Sequence, residues 1–145
     1  MRRLLASLLG APADPQRALA TVLGDRSPAA AIDFLIQGVV HHTVKSGALL
    51  TAQGMFAVVD TYALDHGSPR LLILPAMILL LLGALVAMTV LRGTAGGFKA
   101  DAPKDAVIAG IFQLVISRMV RFNLALYMTF LSVLLLLVAV VFKAL

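Results

Sequence analysis

Apolar positions dominate the second half of the chain, and one run sets the scale for the rest. Leu71 to Leu91 reads LLILPAMILLLLGALVAMTVL, without an ionised side chain, between Arg70 and Arg92. A bilayer core about 30 Å thick takes about 20 apolar helical residues to cross. A surface helix of a small soluble protein would carry a polar face, and this run has none. It predicts a transmembrane helix. Phe122 to Phe142 is apolar enough to be another. Ser46 to Leu64 is mixed: its one ionisable residue is Asp60, but Thr51, Gln53 and Thr61 make it too polar to stand alone in lipid. Packed against other helices, with those groups turned inward, it can cross as well.

Between these runs the pattern is that of helices with clear ends. Asp14-Pro15 is a cap followed by proline at the first helical position, and Gly24 is a stop, which predicts a short helix with Leu19, Val22 and Leu23 on one side. Ser27-Pro28 repeats the signal, and no breaker follows until Gly67-Ser68-Pro69, so one long helix is predicted from about Pro28 to about Asp65. Its first half is amphipathic, with Ile32, Leu35, Ile36, Val39 and Val40 on one face and Asp33, Gln37, His41 and Lys45 on another. Gly93 to Pro103 reads as a loop, and a second long helix is predicted from about Lys104 onward. The opening MRRLLASLLGAPA has an apolar part too short for a signal peptide and is expected to be an amphipathic segment lying on the membrane surface.

Charge decides between two spans and three. The chain carries 12 Lys and Arg against 7 Asp and Glu. With two spans, a basic N-terminal region and a basic connecting loop would lie on opposite faces, against the positive-inside rule. With a third, Arg2, Arg3, Arg17, Arg26 and Lys45 join Arg92, Lys99, Lys104, Arg118 and Arg121 on one side, leaving Arg70 and Lys143 on the other. The expected fold is therefore an all-α membrane protein with three transmembrane helices, over about residues 46–65, 70–92 and 122–142. Its first and third helices extend into the cytoplasm as an amphipathic helical stalk. Residues 1–26 would form an N-terminal cytoplasmic amphipathic segment and 27–145 the three-span helical membrane domain, in a bacterial inner membrane with the N-terminus cytoplasmic.

Little in this pattern carries reaction chemistry. There is no Cys, which excludes disulfides and thiolate metal sites. Without Trp and with few Tyr, no platform for stacking bases exists, and no nucleic acid is expected as a partner. His41-His42 point about 100° apart on a helix and no third ligand is spaced to join them, so no metal site is expected. No phosphate-binding fingerprint or activated nucleophile is present, and the chain is expected not to be an enzyme.

Four sets of residues remain as candidates. Asp60, with Gln53 seven residues earlier on the same face, could line an aqueous path between subunits. Alternatively, and preferred here, Asp60 lies close enough to the His66–Pro69 turn to meet water at the outer interface. Arg118 and Arg121 below the third span, with Lys45 at the foot of the first, are expected to touch lipid headgroups or the phosphate of a signal molecule. Gly83 and Ala87, with Ala76, form a small-residue stripe for helix packing. Ala125 and Thr129, with Ser132, form a second.

Three passages resemble the transmembrane effectors of the Pycsar antiphage system. Thr43-Val44-Lys45-Ser46-Gly47-Ala48-Leu49-Leu50 resembles that family's Asp-x-Lys-Ala segment at the start of the first span. The turn and span from Pro69 to Leu91, and Arg118 to Leu126 (RMVRFNLAL), resemble its later spans and their basic foot. Thr43 and Ser46 stand where the family has Asp and Ala, so Lys45 is the position that carries over. The resemblance implies a membrane effector of a cyclic-nucleotide antiphage (abortive infection) system, which impairs the inner membrane when its signal is present. It implies a pyrimidine cyclase as functional partner and a cyclic pyrimidine nucleotide as ligand, with no other cofactor. The lipid bilayer is the immediate partner, and a homo-oligomer is expected. Two alternatives are a holin-like pore former and a structural accessory subunit of a larger membrane complex.

Overall fold

The computed structural model describes residues 9–24, 26–92 and 103–144. The first eight residues of the expected surface segment, and all of the predicted loop but Pro103, lie outside them. Four helices follow one another: α1 (Pro15–Leu23), α2 (Pro28–Asp65), α3 (Arg70–Arg92) and α4 (Lys104–Ala144). Among the described residues there is no strand.

The helix ends form where local chemistry requires them. Asp14 accepts hydrogen bonds from the backbone N–H groups of Gln16 and Arg17, both at 3.1 Å, and Ser27 accepts from that of Ala30 at 3.3 Å. Pro15 and Pro28 follow at positions whose N–H would have no partner within the helix. At the far end of α2, the N–H of Ser68 donates to the carbonyl of Ala63 and that of Gly67 to Leu64. This pair of bonds is a Schellman turn, and it needs a left-handed residue, which Gly67 supplies with φ of 79°.

The long helices divide the molecule into two stacked regions. In the lower one, α1 and the first halves of α2 and α4 enclose Leu35, Ile108, Ile111 and Phe112, with Leu19, Val22 and Leu23 packed against them. The predicted apolar side of α1 therefore faces this core. Arg26 holds the joint between α1 and α2: it donates to the Val22 carbonyl, and its guanidinium carbon lies 4.6 Å from the centre of the Phe34 ring. Ahead of α1, the carbonyl of Leu9 accepts from Asn123 Nδ2 at 2.8 Å.

In the upper region the second halves of α2 and α4 pack with α3. Buried positions on α3 are Ile73, Ala76, Leu80, Gly83, Ala87 and Val90, alternating three and four residues apart. On α4 the series Ala125, Thr129, Ser132, Leu136 and Ala139 has the same spacing. This is the seam of helices crossing at a shallow angle. The large side chains point the other way: Met55, Val58, Leu71, Ile78, Leu81, Phe130 and Leu137 are all exposed. In α3 and α4 only 28% of the most apolar stretch is buried. The core helix of a soluble protein would be mostly buried, so this bundle is apolar on its outside.

Among the described residues α3 and α4 are the helices long and apolar enough to cross a membrane. The second half of α2 falls short because Ser46, Gln53 and Asp60 interrupt it. It nevertheless runs beside the other two over their length. Leu49 packs with Ala87 and Ala125 at one end, and Ala63 with Ile73, Leu136 and Ala139 at the other. Fourteen helical residues separate the two contacts, a rise of about 21 Å. Lys143 Nζ donates to the carbonyl of His66, so the C-terminal end of α4 lies at the α2–α3 turn.

Candidate functional site

The least ordinary feature is a polar seam inside the upper bundle. Ser46, Gln53 and Asp60 are seven residues apart, so each lies nearly above the last on α2, at intervals of about 10.5 Å. All three are buried, with Gln53 2% exposed and Ser46 and Asp60 fully enclosed. Their face of α2 is turned toward α3 and α4.

Gln53 is the best fixed of the three. Its Nε2 donates to Thr129 Oγ1 at 2.6 Å, and Thr129 spends its own hydroxyl hydrogen on the Ala125 carbonyl at 2.8 Å. The threonine oxygen can therefore only accept, which fixes the amide with its nitrogen toward α4. Gln53 Oε1 has no hydrogen-bond partner among the described residues. Gly83 makes room for this contact: a Cβ there would stand 2.9 Å from Gln53 Nε2 and 3.3 Å from the Ala125 carbonyl oxygen. Higher in the bundle, Ser132 Oγ donates to the Ala76 carbonyl at 2.8 Å and ties α4 to α3.

Asp60 departs from the preferred expectation that it meets water at the outer interface. It is fully enclosed, and neither carboxylate oxygen has a hydrogen-bond partner among the described residues. Nearness to the turn along the chain is outweighed by direction: Asp60 shares the face of Gln53, which α3 and α4 cover. The same orientation places Gln53 and Asp60 between helices of the one chain. Ser46 Oγ is also buried without a partner among the described residues. The packing residues Gly83, Ala87, Ala125 and Thr129 are likewise buried between helices of the one chain.

At the foot of the bundle the three basic candidates separate. Lys45 and Arg121 are exposed. Arg118 is 7% exposed and turned inward, so it is not an outward-facing contact for a headgroup. Its Nη1 donates to Thr43 Oγ1 at 2.6 Å and lies 3.5 Å from the Val39 carbonyl, joining α4 to α2. Burial, and then the nearby Arg121, lower its pKa, but a guanidinium remains charged. Beside it, His42 packs its ring against Phe122, with centroids 6.2 Å apart, and its Nδ1 is buried without a partner among the described residues. Burial first, then the charges of His41, Lys45 and Arg118, push the His42 pKa down. Among the described residues no cluster of three His, Cys, Asp or Glu could hold a metal ion.

Sequence reading passed over two of these partners. Ser46 stands seven residues before Gln53, and that repeat could have extended the seam by one member. Thr43 was noted only as a departure from a motif, yet it holds Arg118, a pairing across 75 positions that spacing along one helix could not reveal. Comparison with protein-family models, curated protein sequences and solved structures finds no match to this chain.

Proposed function

We propose that the chain is a multi-pass protein of a bacterial inner membrane, with three crossings and a cytoplasmic N-terminus. It acts as an effector that impairs the membrane when a signal reaches its stalk. The signal proposed is a cyclic pyrimidine nucleotide made by a partner cyclase during phage infection, acting on a homo-oligomer. The basis for this signal is the sequence resemblance.

The observation that carries the membrane-opening part is the buried polar seam. An unsatisfied buried polar group costs about 1–3 kcal/mol, and Ser46, Gln53 and Asp60 together hold several such atoms. Separation of α2 from α3 and α4 lets water reach them and recovers part of that cost. The closed bundle is thus poised close to an open, hydrated arrangement. Three crossings are supported by the course of α2, which accompanies α3 and α4 for about 21 Å. If those two span a bilayer, the segment between Leu49 and Ala63 lies at the same depth. The exposed Lys45 and Arg121 are the residues proposed to meet ligand phosphate, with Arg118 joining the helices behind them.

The test is membrane potential, followed with a dye in spheroplasts expressing the chain, before and after each cyclic nucleotide is admitted. Depolarisation with one nucleotide alone is the expected result. Depolarisation without any nucleotide assigns a holin-like pore instead, and none under any condition assigns a structural subunit.

A further inference from the structure

Four side chains of α2 hold buried polar atoms without a hydrogen-bond partner among the described residues: His42 at Nδ1, Ser46 at Oγ, Gln53 at Oε1 and Asp60 at both carboxylate oxygens. They stand four, seven and seven residues apart, so they rise one above another on a single face. From His42 to Asp60 the rise is about 27 Å, close to the thickness of a hydrocarbon core. A titratable group stands at each end of this column, with a hydroxyl and an amide between them.

The chemistry of the column sets what it can pass once α2 separates from α3 and α4. A metal ion needs several oxygens to replace its hydration shell. Asp60 is the one carboxylate on the column, and the buried carbonyls of Ala76 and Ala125 are already taken by Ser132 and Thr129. At the foot, His42 has the charges of Lys45 on its own helix and of Arg118 on α4 beside it, with His41 next to it, and these repel a cation. Toward the other end the Asp60 carboxylate opposes an anion. No acidic or basic residue lies on α3 between Arg70 and Arg92, or on α4 between Arg121 and Lys143, to balance it.

A proton needs neither a shell of ligands nor a wide path. It needs groups that take it up and hand it on, linked by waters at hydrogen-bond spacing. Each interval of about 10.5 Å, from Ser46 to Gln53 and from Gln53 to Asp60, takes about three waters in file. Gln53 Oε1 can anchor such a file, whereas the Ser46 hydroxyl can both accept and donate. We infer that the separated seam conducts protons: Asp60 takes one up at the end near the α2–α3 turn, waters held by Gln53 and Ser46 carry it along, and His42 receives it at Nδ1 and releases one on the stalk side. Each proton gained at one end is matched by one lost at the other, and no bond between heavier atoms changes.

Proton passage rests on the opening proposed above, and the test separates the two. The purified chain is placed in liposomes that hold a pH dye or, in a parallel set, a sodium dye, with the potential set by K⁺ and valinomycin. Internal pH and Na⁺ are followed before and after each cyclic pyrimidine nucleotide is added. The expected result is a proton flux well above that of empty vesicles, with sodium held out. Asp60→Asn, which keeps the shape of the side chain but not its proton exchange, returns the flux to that of empty vesicles. Asp60→Glu retains it, and Asp65→Asn, at the exposed end of α2, leaves it unchanged. Entry of sodium along with protons overturns the proton path and leaves the membrane-opening reading standing. So does a proton flux undiminished in Asp60→Asn, or one lost equally in Asp60→Glu, whose carboxyl still exchanges. No flux of either ion under any condition overturns both.

Discussion

The stalk and the span bundle are built from the same two long helices, yet they are held together in opposite ways. In the stalk, Leu35, Ile108, Ile111 and Phe112 fill the interior, while Ile36 and Val40, expected on the same apolar face, stay exposed beside the charged groups. In the bundle many large apolar residues face outward, and the interior sets Ile73, Leu80 and Val90 beside the small Gly83, Ala87 and Ala125 and the polar Ser46, Gln53, Asp60, Thr129 and Ser132. Hydrophobic burial drives the first assembly. Close backbone approach and a few hydrogen bonds tie the second together, the mode of packing that suits helices long and apolar enough to lie in hydrocarbon. The contrast teaches that one continuous helix can change its mode of packing within a turn, at Lys45-Ser46, while its backbone stays regular.

Substitutions can break this comparison, and the largest effect belongs to the stalk. Phe112→Ala empties the middle of its core and costs about 3–5 kcal/mol. Hydrogen exchange is expected to accelerate over 28–45 and 104–118 while the amides of α3 stay protected. Overpacking the bundle comes next. Gly83→Leu drives a side chain into Gln53 and the Ala125 carbonyl and costs about 1–3 kcal/mol, read as a lower midpoint in a denaturing-detergent titration.

A smaller effect tests whether the bundle depends on its polar contacts. Gln53→Leu combined with Thr129→Val removes both partners of the buried bond, and the detergent midpoint moves by no more than about 0.6 kcal/mol, the mean for such bonds in a membrane. A loss as large as that of Phe112→Ala would show that the two regions are less different than their interiors suggest.

The smallest effect sharpens the boundary. His42 has its pKa lowered from 6.5 by burial, so the unfolded chain takes up a proton that the folded chain refuses. Stability is full above about pH 6.5 and is lost as pH falls from there toward the lowered value. The groups facing His42 are His41 and Lys45 on its own helix and Arg118 on α4. The hydrogen-exchange protection of residues 39–46, taken relative to the intrinsic rate at each pH, should fall from pH 8 to pH 5 in the natural chain, and the part due to His42 should vanish in His42→Phe.

Much of this architecture was legible in the order of residues. Ser27-Pro28 and Gly67-Ser68-Pro69 mark the ends of α2 because caps and left-handed glycines act within a few positions. The stripes through Gly83 and Ala125 could be found because helical spacing alone defines a stripe. The direction each stripe faces is another matter. Asp60 was placed near water from its distance to the turn, whereas its surroundings come from α3 and α4, which lie far away in sequence. Arg118 was read by its neighbours Arg121 and Phe122, but its role is set by Thr43. In both cases the missing information was which helix lies opposite, a property of the three-dimensional packing and not of local pattern.

The absence of a break in α2 has a mechanical consequence. From Pro28 to Asp65 it is a single rod, with about 23 Å of helix below Thr43 and about 33 Å above. The Arg118–Thr43 bond grips it close to the middle, as a pivot grips a beam. A tilt of about 5° imposed on the lower arm would swing the upper end by about 2.9 Å, roughly the diameter of a water molecule. Small rotations of the lower region would thus reach the far end of the upper one at nearly full amplitude, with no hinge to absorb them.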